Sequence, residues 1–378
     1  MNEQDIHYMR MALKEARKGL GRTSPNPAVG AVLVREGRRI AAGFHRRAGE
    51  PHAEVDALRK AEGRARGATL YVTLEPCNHQ GRTPPCTEAI LQAGVSRVVV
   101  GMRDPNPGVR GGGCRFLAER GVDVLVGVLE RECMRLNEAF VKFVRTGRPF
   151  VAAKSAMTLD GWTATREKHA RWVTGEQSRR RVHRLRDRFD AILVGVGTIL
   201  ADDPSLTTRM ARGRGRDPIR VIVDTRLRTP PDARVVTQES EAHTLLAVGE
   251  ATDPERVRFI EAKGARVVRC PVRAGKIDLE ALLGILGSMD VTSVLVEGGA
   301  SVLGSMIRHR LVDKFYLFMS PKLLGGDDGI PMAAGPGPGK MDGALRLRDV
   351  RYRRYGEDIL VTAYPDYGTD AGDAVGSG

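Results

Sequence analysis

Two successive α/β domains are the fold class that the sequence predicts, on three observations. At 378 residues, the chain is longer than one hydrophobic core usually serves. Short apolar, β-branched runs alternate with helix-like stretches along nearly its whole length, as buried strands covered by helices do. The alternation is punctuated once, at Gly147-Arg148-Pro149, and then begins again.

In the first half, "MNEQDIHYMRMALKEA" reads as a polar amphipathic helix. Strands "GAVLV" and "RRIAAGFH" follow, then a helix from His52, strand "ATLYVTLEP", a helix from Cys86, strand "RVVVGM", a short helix and strand "VDVLVGV". That is an α/β sandwich of about five strands. "ECMRLNEAFVKFVRTG" is expected as one last helix ending at Gly147. The second half offers "FVAAKSAMTLDG", "AILVGVGTI", "IRVIVDT", "HTLLAVG", "RVVRCPV", "SVLVEGG", "KFYLFMSP" and "DILVTAYP" as strands with helices between. Domains are expected over 1–147 and 150–365, and the small polar tail 366–378, "DYGTDAGDAVGSG", is expected to be disordered.

Composition narrows the class. No run reaches the roughly 18 uninterrupted apolar residues of a membrane span, and the N-terminus does not read as an export signal, so a cytoplasmic protein is expected. The odd count of five cysteines argues against a disulfide framework. Cys114, Cys133 and Cys270 read as small filler residues, which leaves Cys77 and Cys86 in a metal-like context. The net charge of +14 invites a nucleic-acid reading, but the charge is dispersed and aromatics for base stacking are 5%. The densest run, "RRRVHRLRDR" at 179–188, carries apolar residues at helical spacing, so a solvated helix face with one or two functional arginines is expected. An anionic small substrate accounts for the same arginines.

"HAEVDAL" at 52–58 and "EPCNHQGRTPPC" at 75–86 carry the chemistry. His52 and Glu54 stand at a helix start after Pro51, and Cys86 opens a helix after Pro84-Pro85; dipoles and metals both stabilise thiolates there. One imidazole and two thiolates suit Zn²⁺ and leave a fourth position for water. Glu54 is then a proton carrier between that water and a leaving amine. The alternative is a structural zinc with His79 as fourth ligand, in a protein that binds a ligand without transforming it.

"TSPNPAVGAVLV", "GFHRRAGEPHAEVDAL", "YVTLEPCNHQGRTPPCTEAI" and "GMRDPNPGVRGGG" together resemble the deaminase half of the bifunctional riboflavin-biosynthesis deaminase–reductases. The eight residues between the cysteines fit that family better than the shorter gap of generic cytidine and tRNA deaminases. The resemblance implies a cytidine-deaminase-like three-layer α/β domain, with one Zn²⁺ per chain on His52, Cys77 and Cys86 and with Glu54 as proton shuttle. It also implies Asn26, His45, His79, Arg82, Asp104 and Asn106 around a pyrimidine ribotide.

"SVLVEGGASVLGSMI" reads as a buried strand, a Gly-Gly turn and a helix from about Ser301, whose exposed N–H groups suit a pyrophosphate. It is not a Rossmann fingerprint, and "VGVGTILADDP" lacks the third glycine. With "KSAMTLDG", "RWVTG", "GVGTILADDPSLTTR" and "IVDT", it resembles the reductase half of the same family. The resemblance implies a dihydrofolate-reductase-like α/β domain that uses NADPH to reduce the ribosyl group. Ala156, Trp172, Thr198, Asp202, Thr225 and the turn Gly299, Ala300, Ser301, Val302, Leu303, Gly304 and Ser305 would border the cofactor. Lys154, Arg186, Leu206, Arg209 and Glu297 would border the substrate. Ala170 departs from the family, which commonly carries serine there. The partner expected is a small-molecule ribotide, with no nucleic acid and no membrane, for a homo-oligomer. The rival reading is an RNA base deaminase whose basic second domain grips tRNA.

Overall fold

The structure, a computed structural model, describes residues 2–79, 84–107, 112–211, 213 and 215–368. It divides into two compact units, Met1–Arg148 and Pro149–Gly378.

The first unit is built on five strands: β1 (Gly30–Arg35), β2 (Arg38–Phe44), β3 (Thr69–Leu74), β4 (Arg97–Met102) and β5 (Asp123–Val126). Their order is β2-β1-β3-β4-β5, with β1 antiparallel to both neighbours and β3, β4 and β5 parallel. Helices α1 (Glu3–Ala16), α2 (Ala53–Ala61), α3 (Cys86–Gln92), α4 (Gly113–Ala118), α5 (Glu130–Leu136) and α6 (Glu138–Thr146) complete it. Two glycines show the layering. A Cβ on Gly30 would lie 2.1 Å from the carbonyl oxygen of Ala12 in α1, and one on Gly43 would lie 2.4 Å from the amide of Ala57 in α2. Gly43 pairs with Ala31, and cross-strand partners share a face, so Gly30 points to the other face. Helices α1 and α2 therefore cover opposite faces of the sheet, which makes three layers.

Where one long helix was expected at the end of this unit there are two, α5 and α6, broken at Asn137. The Asn137 amide accepts from the Ala28 N–H at 2.8 Å and donates to the Ala28 carbonyl at 3.0 Å, all buried, and the helix yields to that bond.

The second unit carries β6 (Phe150–Thr158), β7 (Trp162–Ala164), β8 (Ala191–Gly195), β9 (Ile219–Val223), β10 (Thr244–Gly249), β11 (Arg266–Cys270), the ribbon β12 (Val272–Arg273) and β13 (Lys276–Ile277), β14 (Ser293–Gly298), β15 (Lys314–Ser320), β16 (Ile330–Pro331), β17 (Arg346–Tyr355) and β18 (Asp358–Asp366). Nine of them form one sheet, β11-β10-β9-β8-β14-β6-β15-β18-β17, parallel except for β18, which runs antiparallel to both β15 and β17. Its helices are α7 (Glu176–Arg186), α8 (Val196–Asp202), α9 (Arg234–Thr237), α10 (Pro254–Glu261), α11 (Leu279–Ser288) and α12 (Ala300–Arg308). Side-chain alternation splits the core in two. Leu193, Val221, Ala247 and Val294 pack with α11 and α12, while Ile192, Val194, Ile222 and Leu246 pack with α8, α9 and α10.

Three details differ from expectation. The run "GVGTI" turns into α8 directly after Gly195 instead of extending β8. Strand β17, "RLRDVRYRRY", is exposed on both faces and charged, so it shows no apolar alternation to read. Asp366 closes β18, and the Tyr367 hydroxyl donates to the Val312 carbonyl at 2.9 Å, so order runs past the expected start of the tail. Residues 369–378 of that tail lie outside the described residues.

Candidate active sites

In the first unit, three chain segments end at one point. His52 is the N-cap of α2, Cys86 is the first residue of α3, and Cys77 follows β3 through Glu75-Pro76. The Nδ1 atom of His52 is 3.2 Å from the Cys86 Sγ and 3.5 Å from the Cys77 Sγ. Tetrahedral zinc, with bonds of about 2.3 Å to sulfur and about 2.0–2.1 Å to nitrogen, places such donors about 3.6 Å apart, so the set fits the ion in type and spacing. The backbone N–H of Cys86 donates to the Cys77 sulfur at 3.4 Å, as a helix start does for a thiolate. A hydrogen bond from Cys86 outweighs burial and, with His52, holds the Cys77 thiol at about 4, while that bond and burial push Cys86 up.

Glu54, the second residue of α2, is 3% exposed and stands outside the donor cluster. Burial pushes its carboxyl up to about 7 against the pull of His52. A cation held by the three donors would draw it back down. His45 is buried, its ring 5.3 Å from that of His52 and edge-on. Its Nδ1 lies 3.2 Å from the Pro51 carbonyl, which can only accept, so Nε2 of the neutral ring accepts from the Asn26 amide at 3.2 Å. Burial lowers the His45 pKa and keeps that tautomer neutral.

Asp104 accepts from the Asn106 N–H at 2.9 Å, and burial raises its pKa within reach of the charges on Glu75, His79 and Cys77. His79 is exposed and lies outside the three-donor group, which removes it as a fourth ligand among the described residues. Arg82 lies outside the described residues. Sequence reasoning missed Glu75, whose carboxylate accepts from the N–H groups of Asp104 at 3.2 Å and Cys114 at 3.0 Å and so ties two loops to the Cys77 segment. A lone acid before Pro-Cys carries no pattern that could have marked it.

In the second unit, a cleft of about 1120 Å³ opens at the C-terminal ends of the parallel strands. Glu297, at the end of β14, accepts two bonds from the Arg186 guanidinium at 2.8 and 2.9 Å, and Lys154 of β6 stands 3.6 Å away. All three side chains are almost buried. Burial would raise the Glu297 pKa, but Arg186 and Lys154 overcome it and hold the carboxyl at about 2. Lys154 is the weaker partner: burial, reinforced by Arg186, lowers its pKa. Arg186 is thus not on the solvated face of its basic helix. His183, also missed, lines the cleft and accepts from the Arg209 N–H at 3.1 Å; burial, Arg186 and Arg209 push it down to about 4.

Ala156, Trp172, Thr198, Asp202, Thr225 and the turn from Gly299 to Ser305 line the same cleft, with two exceptions to the expected set. Gly304 faces inward, where a Cβ would lie 2.0 Å from the Ala334 carbonyl oxygen. Leu206 is packed in the core with Ile199 and Val235 and does not line the cleft. Gly299 is the N-cap of helix α12 and supplies no side-chain cap, and a Cβ on Gly195 or Gly298 would come within 3.0–3.1 Å of Val302 or Thr198. Free N–H groups over a glycine-lined floor fit a pyrophosphate.

Residues 2–102 match the family described as the cytidine and deoxycytidylate deaminase zinc-binding region, and residues 149–361 match the RibD C-terminal domain. The riboflavin biosynthesis protein RibD of Escherichia coli K12 is 40% identical over 370 residues, 95% of this chain and 98% of that one. The chain belongs to the RibD family. RibD of Actinobacillus pleuropneumoniae is also 40% identical, over 94% of each chain. RibD of Acinetobacter baumannii superposes with a TM-score of 0.85 at 35% identity, covering 96% of this chain and 99% of that one. A Thermotoga maritima enzyme, a diaminohydroxyphosphoribosylaminopyrimidine deaminase/5-amino-6-(5-phosphoribosylamino)uracil reductase, superposes at 0.83 with 38% identity over 96% and 99%. As a RibD, this chain is a bifunctional riboflavin-biosynthesis enzyme, with a zinc-binding deaminase half and a reductase half that uses NADPH. The second half is the RibD reductase domain, and the chain is an enzyme, which overturns the reading of it as a non-catalytic binding protein.

Proposed function

We propose that the first unit hydrolyses the 2-amino group from a diaminopyrimidinone ribotide, and that the second reduces the ribosyl group of the product to a ribityl group. The observation that carries the reading is the position of Glu54, buried beside His52, Cys77 and Cys86 but not among the donors. His52, Cys77 and Cys86 would hold zinc, which would supply Lewis acidity to the site. Glu54 takes the proton released from water and delivers it to the departing amine, so that ammonia leaves as oxygen is added. Asn26, His45, His79, Arg82, Asp104 and Asn106 bind the ribotide, with the Asn26–His45 pair presenting a fixed polar edge to the ring.

Reduction adds a hydride at the anomeric carbon of the opened sugar and one proton. NADPH supplies the hydride. Glu297 holds Arg186 and Lys154 in place, and Arg209 joins them on the anionic substrate. Burial makes the Lys154 ammonium a readier proton donor than an exposed lysine. Ala156, Trp172, Thr198, Asp202, Thr225 and the α12 start orient the cofactor. The substrate is a small molecule rather than a nucleic acid, and the enzyme works in the cytoplasm as a homo-oligomer; among the described residues no helix is long and apolar enough to cross a membrane.

The test is incubation with the diaminopyrimidinone ribotide with and without NADPH, followed by mass analysis. Ammonia and the aminouracil ribotide are expected in both cases, and the ribityl product only with NADPH. Ammonia release that requires NADPH, or no change in the ribotide, refutes the reading.

A further inference from the structure

Glu75 follows the last residue of β3 and stands two residues before Cys77, yet among the described residues it pairs with no cation. Its backbone N–H donates to the Met102 carbonyl at 2.9 Å and carries the β3–β4 ladder one residue past its final pair, Leu74 and Met102. Beyond Met102 the chain leaves the sheet, and the Glu75 side chain takes over from the ladder. Its Oε2 accepts from the Asp104 N–H at 3.2 Å and its Oε1 from the Cys114 N–H at 3.0 Å. The two oxygens are thus divided between partners 29 and 39 residues away.

Each bond supplies something the local backbone lacks. Helix α4 opens behind Gly112, which has no side chain to cap it, so the Cys114 N–H in the first turn has no acceptor within its own helix. The Glu75 carboxylate is that acceptor and sets a negative charge at the helix start. The Cys114 thiol donates to it as well, and burial together with the Glu75 charge pushes that thiol up to about 12. Gly113 permits the approach, since a Cβ there would collide with the Pro76 carbonyl oxygen. On the other side Asp104 hands the constraint on. Its Oδ1 accepts from the Asn106 N–H at 2.9 Å across Pro105, which has no N–H of its own. One carboxylate therefore fixes, in series, two residues that stand within reach of the Cys77 segment.

We propose that Glu75 is a positioning residue of the deaminase: from the Cys77 segment it holds Asp104, and through Asp104 it holds Asn106, where the pyrimidine ribotide meets them. It acts through its N–H partners and not on the reacting atoms, so its loss weakens ribotide binding and leaves the metal donors and Glu54 in place. The assignment rests on reading the first unit as a deaminase whose ribotide contacts Asp104 and Asn106.

It is tested on the full chain with Glu75→Gln, Glu75→Asp, Asp104→Ala and the double variant Glu75→Gln/Asp104→Ala, by zinc analysis and by steady-state ammonia release from the diaminopyrimidinone ribotide. Glu75→Gln keeps the shape but offers an N–H where one acceptor stood, and Glu75→Asp keeps the charge but is one bond too short to reach both partners. Both are expected to retain one zinc per chain and to raise the ribotide KM about tenfold, the size of one charge-assisted hydrogen bond, with kcat changed less than about twofold. Asp104→Ala is expected to raise KM at least as much, and the double variant no more than about twofold beyond it, because both changes act through one contact. A wild-type KM in both Glu75 variants, zinc loss, a fall in kcat at unchanged KM, or Glu75 and Asp104 effects that multiply overturns the assignment. Asp104→Ala with an unchanged KM overturns it by removing the contact through which Glu75 acts. Wild type that releases no ammonia from the ribotide overturns the deaminase reading along with it.

Discussion

Glu297→Gln removes the counter-charge from two buried cations and leaves a neutral side chain of nearly the same shape. The Glu297 side chain is 4% exposed, and those of Arg186 and Lys154 are 14% each, so water can replace little of what is lost. Holding a carboxyl at about 2 when its ordinary value is 4.5 corresponds to about 3 kcal/mol of differential interaction. Stranding the partner of a buried pair typically costs about 3–5 kcal/mol, in agreement. Because the folded pKa lies below the unfolded one, this stabilisation is complete above pH 4.5 and disappears as the pH falls toward 2. His183 lies near Glu297 and takes up a proton only around pH 4, so at neutral pH the charged groups facing the carboxylate are Arg186 and Lys154. Both tryptophans of the chain, Trp162 and Trp172, belong to the second unit, so their emission follows the unfolding of that unit. In urea at pH 7, with a slope of about 2 kcal/mol per molar, the midpoint of Glu297→Gln is expected about 1.5 M below wild type. The gap should narrow steadily when the titration is repeated below pH 4.5. A loss under about 0.5 kcal/mol at pH 7, or a gap that does not respond to acid, refutes the claim that this carboxylate is held down by its two cations.

Elemental analysis is expected to find one zinc per chain, retained in Glu54→Gln and lost in Cys77→Ser or Cys86→Ser, while Glu54→Gln releases almost no ammonia; zinc loss in Glu54→Gln would count against its role as proton carrier. Asn137→Leu strands the buried N–H and carbonyl of Ala28, two residues from Asn26, and is expected to cost about 2–4 kcal/mol, seen as a lower temperature of deaminase inactivation with NADPH binding unaffected. Ala170 lines the reductase cleft, and Ala170→Ser is expected to lower the ribotide KM by roughly tenfold or less with kcat little changed, which steady-state reduction kinetics will check.

The parts legible in the sequence are those whose signals are local. His52 as a helix cap, Cys86 at a helix start and the apolar strands are written in runs of fewer than ten residues, where periodicity and capping act directly. The family resemblance extended that reading to residues such as Lys154 and Glu297, whose pattern alone says little. Where a local signal competes with a distant partner, the distant partner wins. The amphipathic run 132–147 satisfies every rule for one helix, and it breaks because Asn137 spends its amide on Ala28, 109 residues away.

The tertiary structure alone decided which charges meet. Glu297 and Arg186 are 111 residues apart in the chain, and Glu297 and Lys154 belong to different strands. No window of sequence contains either pair. They are brought together by the strand order β11-β10-β9-β8-β14-β6-β15-β18-β17, in which β14 inserts between β6 and β8. That order is set by how the two hydrophobic faces of the whole sheet are covered at once, a condition on all strands and helices together. The same condition sends Leu206 into the core and Gly304 against the Ala334 carbonyl, although their positions in the chain had marked them for the cleft.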